Sequence, residues 1–441
     1  MGNYFGTDGV RGKANHGLTV HMALSIGQAL GALYPGAKIV VGMDTRLSSG
    51  MLKHAVLAGL AASSARAFDA GVVPTPAIAY LTANLDFAAG VMISASHNPY
   101  DDNGIKIFSS TGYKIDDQLE AQIEAVLDGK VKLQLAMDAH IGTIEAYPDG
   151  LKAYTAYITK LFDMDLTGLN IAMDAANGSA SVSAKAVLES FGATVHAIAN
   201  QPNGININAH CGSTHPQQLQ NYVVENDSDL GLAFDGDADR LIAVDEHGAL
   251  VDGDAMLYLV GKYLKKNGEL HDNTVVTTVM ANLGLHKALN NHGITTLQTP
   301  VGDKYVVERM LSGQYSLGGE QSGHIVFKDY LTTGDGLLTA LALLKVMSDE
   351  HKSLAELKEG LTIYPQTLRN VRVNDKKQAL NHPKLTALIR LLSDQLGLDG
   401  RILVRPSGTE PLVRVMAEAA TQHQCDDLVA TIVRCIEEEN L

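Results

Sequence analysis

Tryptophan is absent from this sequence, cysteine occurs three times, and basic residues are outnumbered by acidic ones. Cys211, Cys425 and Cys435 are scattered, and no pair has metal-ligand spacing. That scatter argues against a disulfide framework, and a reducing cytoplasm is the expected location. With 34 Lys and Arg against 49 Asp and Glu, the formal net charge is -15. That balance leaves no basic face for nucleic acid. Any anionic ligand must then be captured by locally placed Arg, Lys and backbone N–H groups, not by a global field. No apolar run is long enough to cross a bilayer, so no membrane partner is expected. The opening "MGNYFGTDGV" lacks the basic region and apolar run of a signal peptide, and Gly6 breaks the myristoylation pattern.

What is abundant is glycine, at 42 of 441 residues, which points to tight turns and loops lined by backbone. Three regions read as a buried strand, a polar loop and a helix: "AKIVVGMDTR" with a helix over 51–66, "GLNIAMDAANGSA" with "SAKAVLESFGA", and "NTVVTTVMANLG" with "LHKALNNHG". Val/Ile runs followed by helices imply parallel strands covered on both faces. The end of the chain differs, with strands at "TLRNVRVN", "GRILVRPS" and "PLVRVMAEA" and two amphipathic helices. The expected architecture is three similar α/β domains (1–150, 151–250 and 251–365) with mixed, largely parallel sheets, and a smaller α+β domain (366–441).

Four stretches carry candidate chemistry. In "LGLAFDGDADRLIAVD", Asp235, Asp237 and Asp239 alternate on what reads as an extended loop, which would place their carboxylates on one side. Three clustered carboxylates need a cation, and oxygen ligands suit Mg²⁺. An EF-hand is the rival reading, because Glu246 occupies the twelfth place from Asp235. Arg240 stands where that loop needs Gly, and both flanks are β-like, so the rival fails. In "VRPSGTEPLVR", Arg405 and Arg414 flank Ser407, Gly408 and Thr409, a set suited to a dianionic phosphate; a hairpin with surface arginines is the plainer alternative. In "LGGEQSGHIVF", Glu320, Ser322 and His324 alternate and in extended chain would share a face for sugar hydroxyls or proton transfer. In "YFGTDGVRG", glycines bracket Asp8 and Arg11 in a loop dominated by backbone. A fifth stretch, "ISASHNPYDDNGIKIF", holds Ser94, Ser96, His97 and Lys106, with Ser96 read as an exposed loop serine.

These motifs, together with "PNGININ" and "VGDKYVVERM", resemble the α-D-phosphohexomutase superfamily, in order and over essentially the whole chain, and within it the branch acting on glucosamine phosphates. The resemblance implies four domains around a central cleft. It implies that Ser96 carries a phosphate, and that one Mg²⁺ is held by Asp235, Asp237, Asp239 and a phosphate oxygen on Ser96. Arg11, Lys106 and Arg240 would surround the transferring group, with Lys106 or His324 moving the proton. Glu320 and Ser322 would hold sugar hydroxyls, and Arg405, Ser407, Gly408, Thr409 and Arg414 the phosphate that is not reacting. The implied reaction turns glucosamine 6-phosphate into glucosamine 1-phosphate through glucosamine 1,6-bisphosphate, toward UDP-N-acetylglucosamine and cell-wall precursors. A homodimer fits the resemblance, as does first phosphorylation by a kinase or by the enzyme itself. The chain departs from the family pattern at Asp101, where an aromatic is more usual, and at Ala238, where Gly is. A phosphatase would not need the second phosphate loop, and an inert sensor would not need every reactive side chain.

Overall fold

The computed structural model describes residues 4–407, 412–439 and 441. The chain forms two compact units: one takes residues up to Met280 together with Gly293–Glu359, the other Ala281–His292 with Gly360–Leu441.

The larger unit contains three sheets. The first is built from β1 (Phe5–Gly6), β2 (Gly9–Lys13), β3 (Lys38–Met43), β4 (Arg66–Val72), β5 (Ala89–Ile93), β6 (Asp102–Ser109) and β7 (Ile144–Ala146), in the order β1-β2-β6-β5-β3-β4-β7. The second contains β8 (Asn170–Asp174), β9 (Thr194–Ile198), β10 (Leu230–Phe234), β11 (Leu241–Asp245) and β12 (Leu250–Val251), in the order β12-β11-β10-β8-β9. The third contains β13 (Thr274–Thr278), β14 (Thr295–Thr299), β15 (Leu317–Gly319) and β16 (Ile325–Phe327), in the order β14-β13-β15-β16.

All three sheets are mixed on one plan. Apolar strands buried on both faces pair in parallel: β5 with β3, β10 with β8, β15 with β13. Each of β5, β10 and β15 then turns back into an antiparallel neighbour, β6, β11 or β16. A parallel neighbour needs a long crossover, whereas an antiparallel one needs only a short loop. The short loops produced this way are 94–101, 235–240 and 320–324, and they carry the candidate chemistry.

The first helical expectation shifts by a few residues. The helix runs Leu47–Ala62, and Arg66 already begins β4. The Ala-rich run hid the boundary, because Ser64 makes the turn with a left-handed φ of 74°.

The smaller unit is an antiparallel sheet of β17 (Gln366–Arg372), β18 (Arg401–Pro406) and β19 (Leu412–Glu418), in the order β17-β19-β18. Helices Pro383–Leu396 and Gln422–Glu438 supply Leu385, Val429, Ile432 and Ile436 to its core. Helix Leu283–Asn291 joins this unit although it lies within the third domain in sequence. Its N-cap Asn282 donates to Tyr364 O at 3.0 Å, and Leu283 N–H donates to Glu418 at 2.9 Å. No helix among the described residues is long and apolar enough to cross a membrane.

Candidate active site

Ser96 is 1% exposed, so the expectation of an exposed loop serine is corrected. Its backbone is left-handed, φ 54°, which turns the hydroxyl inward. Ser96 Oγ donates to Asp235 Oδ2 at 2.6 Å, joining the first sheet's loop to the second's. The loop is held from below by residues the motif reading passed over. Arg46 donates from Nη2 to Ser96 O (2.8 Å) and Asn98 O (2.9 Å), from Nη1 to Asp102 O (3.1 Å) and to Pro99 O, and from Nε to Asp44 Oδ2 (2.8 Å). Asn208 donates to Ser96 O and Asn98 O from the other side, at 2.9 and 3.0 Å. Asp44 also accepts from Ser94 Oγ at 2.7 Å and Ser49 Oγ at 2.6 Å. The signal for Asp44 and Arg46 was present in "MDTR", where a buried strand ends in opposite charges. Asp101, the departure from the family pattern, lies on the outer edge of the loop and pairs with Lys13 at 2.6 Å.

The aspartates do converge, but not by strand alternation. Residues 235–240 form a turn, with Ala238 N–H donating to Asp235 O at 3.1 Å. Ala238 has φ 56°, a conformation that costs a non-glycine residue about 1–2 kcal/mol. That explains why glycine is usual at this position. Ligand atoms of Asp235, Asp237 and Asp239 lie within 4.8 Å of one another, all three residues buried. Burial, then the Asp239 and Asp237 carboxylates, pushes Asp235 well above the ordinary carboxylate range. Asp237 Oδ1 and Asp239 Oδ1 are buried without a hydrogen-bond partner. Buried carboxylate oxygens without hydrogen-bond partners, in so tight a cluster of acids, fit a hard divalent cation. Glu246 lies beyond β11 and accepts from Ala355 N–H, apart from this loop.

Lys106, on β6 and 1% exposed, donates to Asp237 at 2.8 Å and Asp239 at 3.1 Å and lies 3.3 Å from Asp8. Burial works against its charge, but the Asp237, Asp239 and Asp8 carboxylates raise its pKa well above that of an ordinary lysine. Asp8 also pairs with Arg11, so the N-terminal glycine loop does face the other motifs. Lys114 bridges Asp8 and Asp303 at 2.5 Å each, which brings in a residue of "VGDKYVVERM". Arg240 Nη1 donates to His97 Nδ1 at 3.2 Å. Burial, with the Arg240 and Arg11 charges, lowers His97 to about 4, so it accepts that bond as neutral imidazole. Thr75 Oγ1 donates to Asp237 at 2.6 Å, a contact no motif announced.

Residues 320–324 are also a turn, not an extended face. Gly323 sits at φ 89°, its N–H donates to Glu320 O, and Glu320 N–H donates to His324 O, each at 3.0 Å. Ser322 is exposed, whereas His324 is 3% exposed. His324 Nδ1 is 3.6 Å from Asp239 Oδ1, and its Nε2 accepts from Gly334 N–H at 3.1 Å. Glu320 Oε1 accepts from Gly302 N–H at 3.2 Å.

In the smaller unit, Arg405 and Arg414 face each other directly across β18 and β19. Like charges in that register repel. Burial and Arg414 lower the Arg405 pKa, and the Nε atoms of both are buried without partners. Such a pair is suited to a dianion. Ser407 is buried and its carbonyl accepts from Lys376 Nζ at 2.8 Å. Gly408 and Thr409 lie outside the described residues.

The chain is similar to known proteins along its whole length. Residues 2–133, 152–248, 252–364 and 368–434 match, in turn, phosphoglucomutase/phosphomannomutase alpha/beta/alpha domains I, II and III and the C-terminal domain of that family. Phosphoglucosamine mutases of Bacillus cereus and Bacillus anthracis are each 50% identical over 444 aligned residues, covering 100% of this chain and 99% of theirs. A crystal structure of a phosphoglucomutase/phosphomannomutase family protein from Burkholderia thailandensis aligns with TM-score 0.81 and 26% identity, over 98% of this chain and 97% of its own. Aspergillus fumigatus N-acetylphosphoglucosamine mutase, solved with GlcNAc-6P and magnesium, shares the fold at TM-score 0.70 and 17% identity, over 99% and 96% of the two chains. Matched in order in all four domains and along its whole length, the chain belongs to the phosphoglucomutase/phosphomannomutase family of α-D-phosphohexomutases, and within it to the phosphoglucosamine mutases.

Proposed function

We propose that this phosphomutase interconverts glucosamine 6-phosphate and glucosamine 1-phosphate by passing a phosphoryl group through Ser96, with glucosamine 1,6-bisphosphate as the intermediate. The observation that carries the proposal is the Ser96 hydroxyl, buried and donating at 2.6 Å to one of three clustered aspartates. A hydroxyl held in that position, on a loop clamped by Arg46 and Asn208, is oriented for covalent phosphoryl transfer. Asp235, Asp237 and Asp239 would hold Mg²⁺, which when bound neutralises charge on the transferring group.

The protein's own side chains do the rest. Arg11, Lys106 and Arg240 place positive charge around the phosphoryl oxygens. Between the two candidates for proton transfer, the contacts favour Lys106. Burial works against the charge on both, and carboxylates raise both pKa values, Asp239 and Asp303 at His324 and Asp237, Asp239 and Asp8 at Lys106; what distinguishes them is that His324 Nε2 already accepts from Gly334 N–H. Lys106 gives a proton to the departing Ser96 oxygen as the P–O bond breaks, and recovers one from the sugar hydroxyl that forms the new P–O bond. Glu320 and Ser322 bind sugar hydroxyls. Arg405, Ser407, Gly408, Thr409 and Arg414 bind the phosphate that is not reacting. In this division 1–150 supplies the serine, 151–250 the carboxylates, 251–365 the sugar contacts and 366–441 the second phosphate site. We place the enzyme in the cytoplasm as a homodimer, first phosphorylated by a kinase or by itself.

The test is Ser96→Ala, assayed by isomerisation and by intact mass. The wild type should carry a phosphate adduct that the variant lacks, and the variant should lose turnover while remaining folded. Near-normal turnover would refute the covalent route. Comparing glucosamine, glucose and mannose phosphates as substrates tests the sugar assignment.

A further inference from the structure

Thr75 is the first residue of helix Thr75–Asn84, which follows β4 of the first sheet, and it bonds to the aspartate loop of the second sheet, 162 positions away. It is 1% exposed and makes two bonds to the same residue. Its N–H, one of the donors that a helix start leaves without an intrahelical partner, donates to Asp237 O at 2.9 Å. Its hydroxyl Oγ1 donates to Asp237 Oδ2 at 2.6 Å. Pro74 and Pro76 flank it, and each ring fixes its own φ, so the hydroxyl stands on stiff backbone. Asp237 Oδ2 also accepts from Lys106 Nζ at 2.8 Å, whereas Oδ1 is buried without a hydrogen-bond partner. One oxygen of this carboxylate is thus committed to protein donors, and the other is open. Asp239 repeats the division, with Oδ2 accepting from Lys106 at 3.1 Å and Oδ1 buried without a hydrogen-bond partner.

We propose that Thr75 is a positioning residue that makes Asp237 a ligand through one oxygen only, and that it thereby selects Mg²⁺ over Ca²⁺. Ca²⁺ tolerates irregular geometry and often takes both oxygens of a carboxylate, whereas Mg²⁺ demands a compact octahedron and keeps several of its waters. A carboxylate with one oxygen tied down suits the second ion and denies the first its bidentate grip. With the hydroxyl removed, Oδ2 keeps the Lys106 ammonium, whose rotatable donors can follow a turning carboxylate. Asp237 is then free to turn both oxygens to a cation. The bond from Thr75 N–H to Asp237 O survives any side chain at this position, so the turn itself stays held while the orientation of the carboxylate changes. Outer partners of metal ligands typically change affinity by about 10–100-fold when removed.

The inference rests on the proposed reading of these carboxylates as the cation site of a phosphomutase, and its test does not use the reaction. Calorimetric titration of the full chain with Mg²⁺ alone and with Ca²⁺ alone gives two affinities, compared at equal phosphate content by intact mass. The wild type should bind Mg²⁺ more tightly than Ca²⁺. Thr75→Val keeps the branched shape and removes the hydroxyl; it should weaken Mg²⁺ by about tenfold or more and leave Ca²⁺ within about twofold. Thr75→Ser, which keeps the hydroxyl, should retain the wild-type ratio. A wild type that prefers Ca²⁺ or does not bind Mg²⁺ overturns the proposal, and that arm holds even if Thr75→Val does not fold. Unchanged affinities in Thr75→Val overturn it as well, and so does an equal loss of both ions, which would make the hydroxyl a brace for the turn and nothing more. If the cations are discriminated as expected but the wild type does not isomerise glucosamine phosphate, the functional reading fails and the positioning by Thr75 stands.

Discussion

Arg46→Lys tests the clamp beneath Ser96. One guanidinium serves five acceptors: Asp44 and the carbonyls of Ser96, Asn98, Pro99 and Asp102. An ammonium keeps the charge but has three hydrogens and no planar fork, so at least two acceptors lose their donor. Ser96 O and Asn98 O retain Asn208 and Pro99 O retains the Asp102 N–H, so the loss left unreplaced falls on Asp102 O. Two hydrogen bonds from a charged donor, each worth about 1.5–3 kcal/mol, set the cost at about 3 kcal/mol or more. At about 1.4 kcal/mol for each factor of ten, local opening becomes about a hundredfold more frequent. The assay is native-state hydrogen exchange at the amides of Asn98 and Asp102, which bond within the loop to Ala95 O and Pro99 O. Protection there should fall about a hundredfold, while β3 amides, deep in the sheet, stay unchanged. Combining Arg46→Lys with Asn208→Ala should cost more than the sum, since both residues serve the same carbonyls. Unchanged protection in Arg46→Lys would show that the loop holds its shape without the fork.

Asp237→Asn should remove most isomerase activity and weaken Mg²⁺ binding, because an amide is a poorer ligand and one anionic charge is lost; full activity in chelator-treated enzyme would refute a catalytic cation. Arg414→Ala should strongly reduce isomerisation and leave hydrolysis of the phosphoenzyme in water nearly unchanged, because binding to a remote phosphate orients the reacting end; unaffected isomerisation would make Arg414 a plain hairpin arginine. In the smaller unit, burial and the Arg401 charge lower His286 to about 4, so the fold favours the neutral ring. The unfolded chain binds more protons between that value and about 6.5, so stability is complete above about 6.5 and falls as pH drops toward 4, by at most about 3 kcal/mol before solvent screening reduces it. Thermal melts of His286→Gln should show a flatter pH dependence over that window, and an unchanged profile would dismiss this histidine as the cause.

Much of this protein was legible in its chain. The buried Val/Ile runs marked the parallel strands, and the acidic, glycine-rich and arginine-flanked motifs marked the chemical loops, because those signals depend only on near neighbours in sequence. Strand alternation was the wrong reason for the convergence of Asp235, Asp237 and Asp239, and it failed for Glu320, Ser322 and His324. Both segments are turns, with Ala238 or Gly323 in the left-handed region. What tertiary structure alone decided is which distant groups meet. Arg46 reaches carbonyls 50 to 56 positions away, Ser96 bonds to Asp235 across 139, and Lys106 joins Asp237 across 131. Such meetings follow from parallel crossovers and from the docking of one sheet's loops against another's, which local periodicity does not encode. Gly334 shows the limit best: nothing in "TTGDGLL" separates it from an ordinary turn glycine until the fold lays an imidazole against its Cα, where a side chain would otherwise stand.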